Sequence, residues 1–151
     1  MLFRSVYGVL FNRLGWPSRG VRSAVIQKLD GAFPSASREV NTELLNLLVY
    51  LEAPGVAQRA VALIERAPTQ EEQMEYVRAL RVLSTGWSLP ERNEYFAWFL
   101  KAANFKGGNS LRGFLKRMKD DAVATLAPAE KQKLQAVLDA QPVGQIGRAH
   151  V

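Results

Sequence analysis

A chain of 151 residues with 48% hydrophobic content is long enough to bury a domain core or several short repeats, and too apolar to stay disordered. It has no cysteine, which excludes disulfides, thiolate zinc sites and a CxxCH haem attachment within it; no uninterrupted apolar run comes near the roughly 18 residues a bilayer span needs. The formal charge of +6 is mild, and reads first as a solvated surface and second as a face for an anionic partner.

The two ends carry an unusual signature. Met1-Leu2-Phe3-Arg4-Ser5 is what GTG CTC TTC CGA TCT encodes when GTG serves as the start. Gln145-Ile146-Gly147-Arg148-Ala149-His150-Val151 is what CAG ATC GGA AGA GCA CAC GTC encodes, and the reverse complement of the first string lies inside the second. Both resemble a common short-read sequencing adapter. Residues 1–5 and 145–151 are therefore expected to be adapter-encoded, and residues 6–144 to be a helical-repeat slice of a longer protein. On that expectation the single histidine, His150, is not native, and leaving out Arg4 and Arg148 lowers the charge from +6 to +4.

From Val6 onward the chain reads as helix after helix. Val6 to Leu14 predicts a first helix, ended by Gly15-Trp16-Pro17. Arg19 to Leu29 predicts a second, with Val21, Val25, Ile26 and Leu29 on one stripe, and Gly31 to Ser37 forms a turn containing Pro34. Val40, Leu44, Leu47, Leu48 and Leu51 then mark one face of a 3.6-residue period, stopped by Pro54-Gly55. Val56, Ala60, Leu63 and Ile64 face inward on the next helix, which ends before Pro68. The short connector predicts an antiparallel hairpin.

Thr69-Gln70-Glu71-Glu72 has the spacing of a capping box, in which threonine and glutamate each satisfy the other's amide. Met74, Val77 and Leu80 carry the apolar face to about Ser84, and Thr85-Gly86-Trp87 turns the chain. Ser88-Leu89-Pro90-Glu91 repeats the cap, with proline in the first turn where its missing N–H is harmless. Tyr95, Phe96, Trp98 and Phe99 follow on a helix reaching about Ala103. After Gly107-Gly108-Asn109-Ser110, the stripe Leu111, Phe114, Leu115, Met118, Ala122 and Leu126 predicts another helix. Ala127-Pro128 opens a last one, with Leu134, Val137 and Leu138 inward.

The fold class is all-α, in about four successive antiparallel hairpins of about 30–40 residues each, which suggests a HEAT-like α-solenoid segment. A compact orthogonal helical bundle is the alternative arrangement.

Candidate chemistry is sparse. Glu71 and Glu72 sit in a helix's first turn, where negative charge complements the dipole, and Asp120 and Asp121 lie on a polar helix face. Both pairs read as structural rather than as acid–base machinery. Gly107-Gly108-Asn109-Ser110 can present amides to an anion, with Lys106, Arg112 and Lys116 adding charge. The same residues also read as a helix stop followed by an Asn or Ser cap, which is the expected reading. The motif lacks the P-loop's Gly-Lys-Ser/Thr ending, so nucleotide chemistry is not supported. Lys101, Lys106, Arg112, Lys116, Arg117 and Lys119 form a basic group that can meet phosphates, but Asp120 is the i+4 partner of Lys116, and exposed helix surface is the expected role. The aromatic helix is expected to be mostly core rather than a platform for bases.

Four blocks carry a resemblance: Glu43-Leu44-Leu45-Asn46-Leu47-Leu48-Val49-Tyr50-Leu51, Ala67-Pro68-Thr69-Gln70-Glu71-Glu72-Gln73, Thr85-Gly86-Trp87 and Gly107-Gly108-Asn109-Ser110. In that order they resemble the helical-repeat region of large exported proteins of planctomycete type, over most of Ser37 to Leu126. In that family a propeller-like membrane-bound dehydrogenase domain precedes HEAT-like repeats, and a c-type cytochrome domain often follows. The resemblance implies a non-catalytic scaffold or interaction segment, a periplasmic or cell-surface location, and flanking domains of the parent as partners. It implies haem c elsewhere in the parent; no cofactor-binding, metal or catalytic residue can be carried onto this segment. The alternative function is a basic helical module that binds nucleic acid or an acidic protein.

Overall fold

The computed structural model describes residues 15–143, so the helix expected at Val6–Leu14 and both adapter-matching ends lie outside the described residues. Among the described residues all regular structure is helical: α1 (Arg19–Asp30), α2 (Arg38–Tyr50), α3 (Val56–Arg66), α4 (Gln70–Leu80), α5 (Leu89–Ala102), α6 (Asn109–Ala124), α7 (Pro128–Lys133) and α8 (Gln135–Asp139). None of these helices is long and apolar enough to cross a membrane.

Local chemistry sets most of the boundaries. Ser18, Ser37 and Thr69 each accept an amide from the first turn of α1, α2 and α4, satisfying donors that a helix start leaves open. The Ser88 box is complete: its hydroxyl accepts from Glu91 N at 3.3 Å, and the Glu91 carboxylate accepts from Ser88 N at 2.9 Å. The Thr69 box forms only by half. The Glu72 carboxylate accepts the Tyr76 hydroxyl at 2.7 Å instead of the cap amide, because Tyr76 is fully buried and needs a partner for its O–H.

The end of α2 differs from the expectation built on Pro54-Gly55. The stop lies earlier, at Glu52, which adopts a left-handed φ of 53°. Glu52 N bonds to Val49 O and Ala53 N to Leu48 O, the paired bonds of a Schellman ending. The Arg22 guanidinium donates to the carbonyls of Leu51 and Glu52 and so ties α1 to that helix end. A side chain in left-handed backbone is strained by roughly 1–2 kcal/mol, and glycine's extra freedom when unfolded offsets part of any relief. Glu52→Gly is accordingly expected to stabilise the chain by about 0.5–1 kcal/mol, read as a higher urea midpoint at unchanged slope.

One hydrophobic cluster runs from Leu29 to Leu134. Leu44, Leu47, Leu48 and Leu51 are buried as their spacing predicts, whereas Val21 and Val40, at the starts of α1 and α2, are about half exposed. The last helix of the sequence reading is broken into α7 and α8 at Leu134, whose own side chain is buried. The break lets α8 fold back onto α5, with Val137 and Leu138 against the core.

The helices pair in two ways. Sequence neighbours α1–α2, α2–α3, α3–α4, α5–α6 and α7–α8 contact each other; α2 also packs on α4, α4 on α6, and α3 on α5. Charged side chains tie α2 to α4 and α4 to α6. Arg38 on α2 makes a bidentate pair with Glu75 on α4 at 2.9 and 3.0 Å, and Arg81 just after α4 reaches Asp121 on α6 at 3.2 Å. Arg59 on α3 joins the Asp30 carboxylate and the Phe33 carbonyl, with its guanidinium over the Phe33 ring.

The Arg38 hydrogen bonds hold the Glu75 carboxyl below its ordinary value of 4.5, with partial burial opposing and Thr42 assisting. A depressed carboxylate stabilises the fold above its unfolded pKa and loses that contribution as pH falls through the folded value. Thermal melts should therefore weaken progressively below about pH 4.5, and Glu75→Gln should flatten part of that slope. An unchanged slope would show that the exposed pair contributes nothing.

Candidate functional site

In the Gly107–Ser110 turn, packing requires the first glycine, whereas a Cβ at Gly108 would meet open space. Leu111 lies over Gly107, so that a Cβ placed there would meet Leu111 Cβ at 2.9 Å. Gly108 is itself the N-cap, in extended backbone, and neither Asn109 nor Ser110 caps the helix; both stand inside its first turn. That corrects the expected Asn or Ser cap: the close approach of Leu111 and the extended Gly108 start the helix one residue early. Asn109 Oδ1 accepts from Arg112 at 2.7 Å. The Lys106 amide is spent on Gln70 Oε1 at 3.2 Å, and Gln70 Nε2 donates to the Lys106 carbonyl at 2.9 Å, so the turn is a strap onto the start of α4.

Of the candidate anion-binding residues, Arg112 and Asn109 touch, but only Arg112 and Lys116 share a groove. Lys106, Gly107, Gly108, Asn109 and Ser110 remain exposed at one end of α6. Arg112 and Lys116 instead line a groove of about 470 Å³ beside α5, joined by Lys119. Its apolar surface comes from Phe99, Leu100, Ala103, Leu115, Leu138 and Pro142. Lys116 pairs with Asp120 at 2.8 Å, as the i+4 spacing predicts, and Lys119 Nζ donates to the Leu138 carbonyl at 3.1 Å. Lys101 faces a different groove between α3 and α5, shared with Glu65 and Glu94.

Three of the four paired acids have structural partners: Tyr76 for Glu72, Lys116 for Asp120 and Arg81 for Asp121. Tyr95, Phe96, Trp98 and Phe99 are all buried and meet mainly edge to face, so they form core rather than a stacking platform. Tyr95 donates its hydroxyl to the Val77 carbonyl at 2.8 Å, and burial pushes that phenol far above its ordinary value.

The most unusual group was not among the expected ones. Arg92 is 1% exposed, with its guanidinium 4.6 Å from the centre of the Trp87 ring. It donates to Thr125 Oγ1 at 3.1 Å and the Ser84 carbonyl at 3.4 Å, and pairs with Glu130 at 3.5 Å. Burial lowers its pKa, while the Glu130 carboxylate opposes the shift. Glu130 also accepts the Ala127 amide at 3.2 Å, so one carboxylate starts α7 and balances the buried cation. Its spacing was a usable signal: Arg92 precedes Tyr95, Phe96 and Phe99 by three, four and seven residues, which places it on the apolar stripe.

Together these features make, among the described residues, a charge-tied set of packed helices with a basic, apolar-floored groove. No family model, curated protein or solved structure matches the chain.

Proposed function

We propose that the chain is a non-catalytic scaffold: a HEAT-like α-solenoid segment of a larger exported, haem-linked dehydrogenase-type protein, whose task is to space and dock neighbouring domains. The observation that carries this reading is the pairing of next-but-one helices, α2 with α4, α4 with α6, and α3 with α5. Stacked hairpins require such contacts, since each repeat buries its apolar face on the next. The structural engagement of Glu72, Asp120 and Asp121 also favours a scaffold over a carboxylate enzyme. The parentage, the periplasmic or cell-surface location and the haem rest on the resemblance.

Hydrogen exchange tests the architecture. An array should show protection graded from α3–α5 toward the ends, whereas a bundle should open as one unit. Sequencing the source DNA outward through both ends tests the parentage. The expected result is a strand-rich domain upstream and CxxCH downstream; start and stop codons closely flanking residues 6–144 would overturn it.

The alternative, a basic module, is favoured by one observation. Arg112, Lys116 and Lys119 lie together along the α5–α6 groove.

A further inference from the structure

We propose that the groove between α5 and α6 docks an acidic, amphipathic helix of a protein partner, an inference that rests on the docking role above but not on the parentage. Arg112, Lys116 and Lys119 occupy positions i, i+4 and i+7 of α6, so three cations line one wall over roughly 10 Å. The opposing surface is aliphatic, from Leu100, Ala103 and Leu138, and among the described residues no carboxylate lines the groove. A helix with acids along one edge and aliphatic side chains along the next matches both surfaces at once.

The present partners of these cations are readily exchanged. The Lys116–Asp120 pair is 77% and 62% exposed, and exposed pairs of this kind contribute little. Arg112 holds only the neutral amide of Asn109, and Lys119 a backbone carbonyl. Each would gain by meeting a carboxylate at the edge of a dry contact.

Other anions fit less well. A fatty acid or similar amphiphile brings one charge and leaves two cations unanswered. Single-stranded nucleic acid brings a line of charges but wants aromatic faces for its bases, and the one aromatic ring lining the groove, Phe99, is buried.

The test uses the full chain and a fluorescein-labelled synthetic peptide of about three helical turns, with Glu on one edge and Leu on the adjoining face. Anisotropy should report saturable binding that weakens as salt rises. The double variant Lys116→Glu/Lys119→Glu should weaken it by about tenfold or more, while Arg117→Glu, on α6 but outside the groove lining, should leave it nearly unchanged. Melting curves of both variants establish that they remain folded. Replacing the peptide's Leu by Ser should abolish binding. The proposal is overturned if the Leu peptide does not bind, if the double variant binds as tightly, or if the Ser peptide or an oligothymidylate of equal charge binds equally well. A failure here leaves the exchange gradient and the flanking sequence untouched, so the scaffold reading stands or falls separately.

Discussion

Arg92→Ala is expected to destabilise the chain by about 3 kcal/mol, whereas Arg92→Met should lose less than about 1.5 kcal/mol. Alanine removes the buried stem and the guanidinium stacked on Trp87 and leaves a cavity, together with the Ser84 carbonyl and Thr125 hydroxyl stripped of a donor. Methionine refills most of the volume without a charge to desolvate, and replacing a buried ion by an apolar side chain of similar size is often close to neutral. Removing the acid instead gives a third, intermediate case. Glu130→Ala strands the buried cation, but Glu130 is 36% exposed, so water reaches that side; about 1–2 kcal/mol is expected. Urea titrations followed by circular dichroism give the order directly. Methionine as damaging as alanine would mean that the charge, and not the packing, holds α5 to α6 and α7.

The helices were legible because each carries its own period and punctuation. Leu44 to Leu51 announced a buried face, and Ser88-Leu89-Pro90-Glu91 announced a start, both from contacts within a few residues. Features that depend on distant residues were not legible. Nothing near Glu72 in sequence says that Tyr76 will be enclosed and claim its carboxylate, since that enclosure is made by other helices. The left-handed Glu52 hides behind a stronger signal, Pro54-Gly55, and is stabilised from α1 by Arg22. The break at Leu134 follows from α8 lying across α5, a tertiary demand on an otherwise helical stretch. Of the candidate site, Arg112 and Lys116 were placed on a helix correctly. Their separation from Lys106 required knowing that Gln70, 36 residues away, would strap the turn.

Trp98→Ala should be the most damaging single change, at about 3–5 kcal/mol, because it empties a large site in the middle of α5. The more informative variant is Trp98→Phe. It keeps most of the ring but removes the indole N–H, which donates to Gln73 Oε1 at 3.0 Å. Gln73 is itself buried and spends its amide nitrogen on the Ala67 carbonyl at 2.9 Å, so the bond links α5 through α4 to the end of α3. An acceptor orphaned in such a place is worth about 1–3 kcal/mol, well above the loss expected from a neutral bond exchanged with water. Gln73→Leu alone orphans the indole N–H and the Ala67 carbonyl. Combining it with Trp98→Phe removes both polar partners of the central bond and leaves only Ala67 wanting. The double variant should therefore cost less than the sum of the two singles, by about 1 kcal/mol or more. Strict additivity would show that the indole and amide find water once parted, and that the joint between α3, α4 and α5 is held by apolar packing alone.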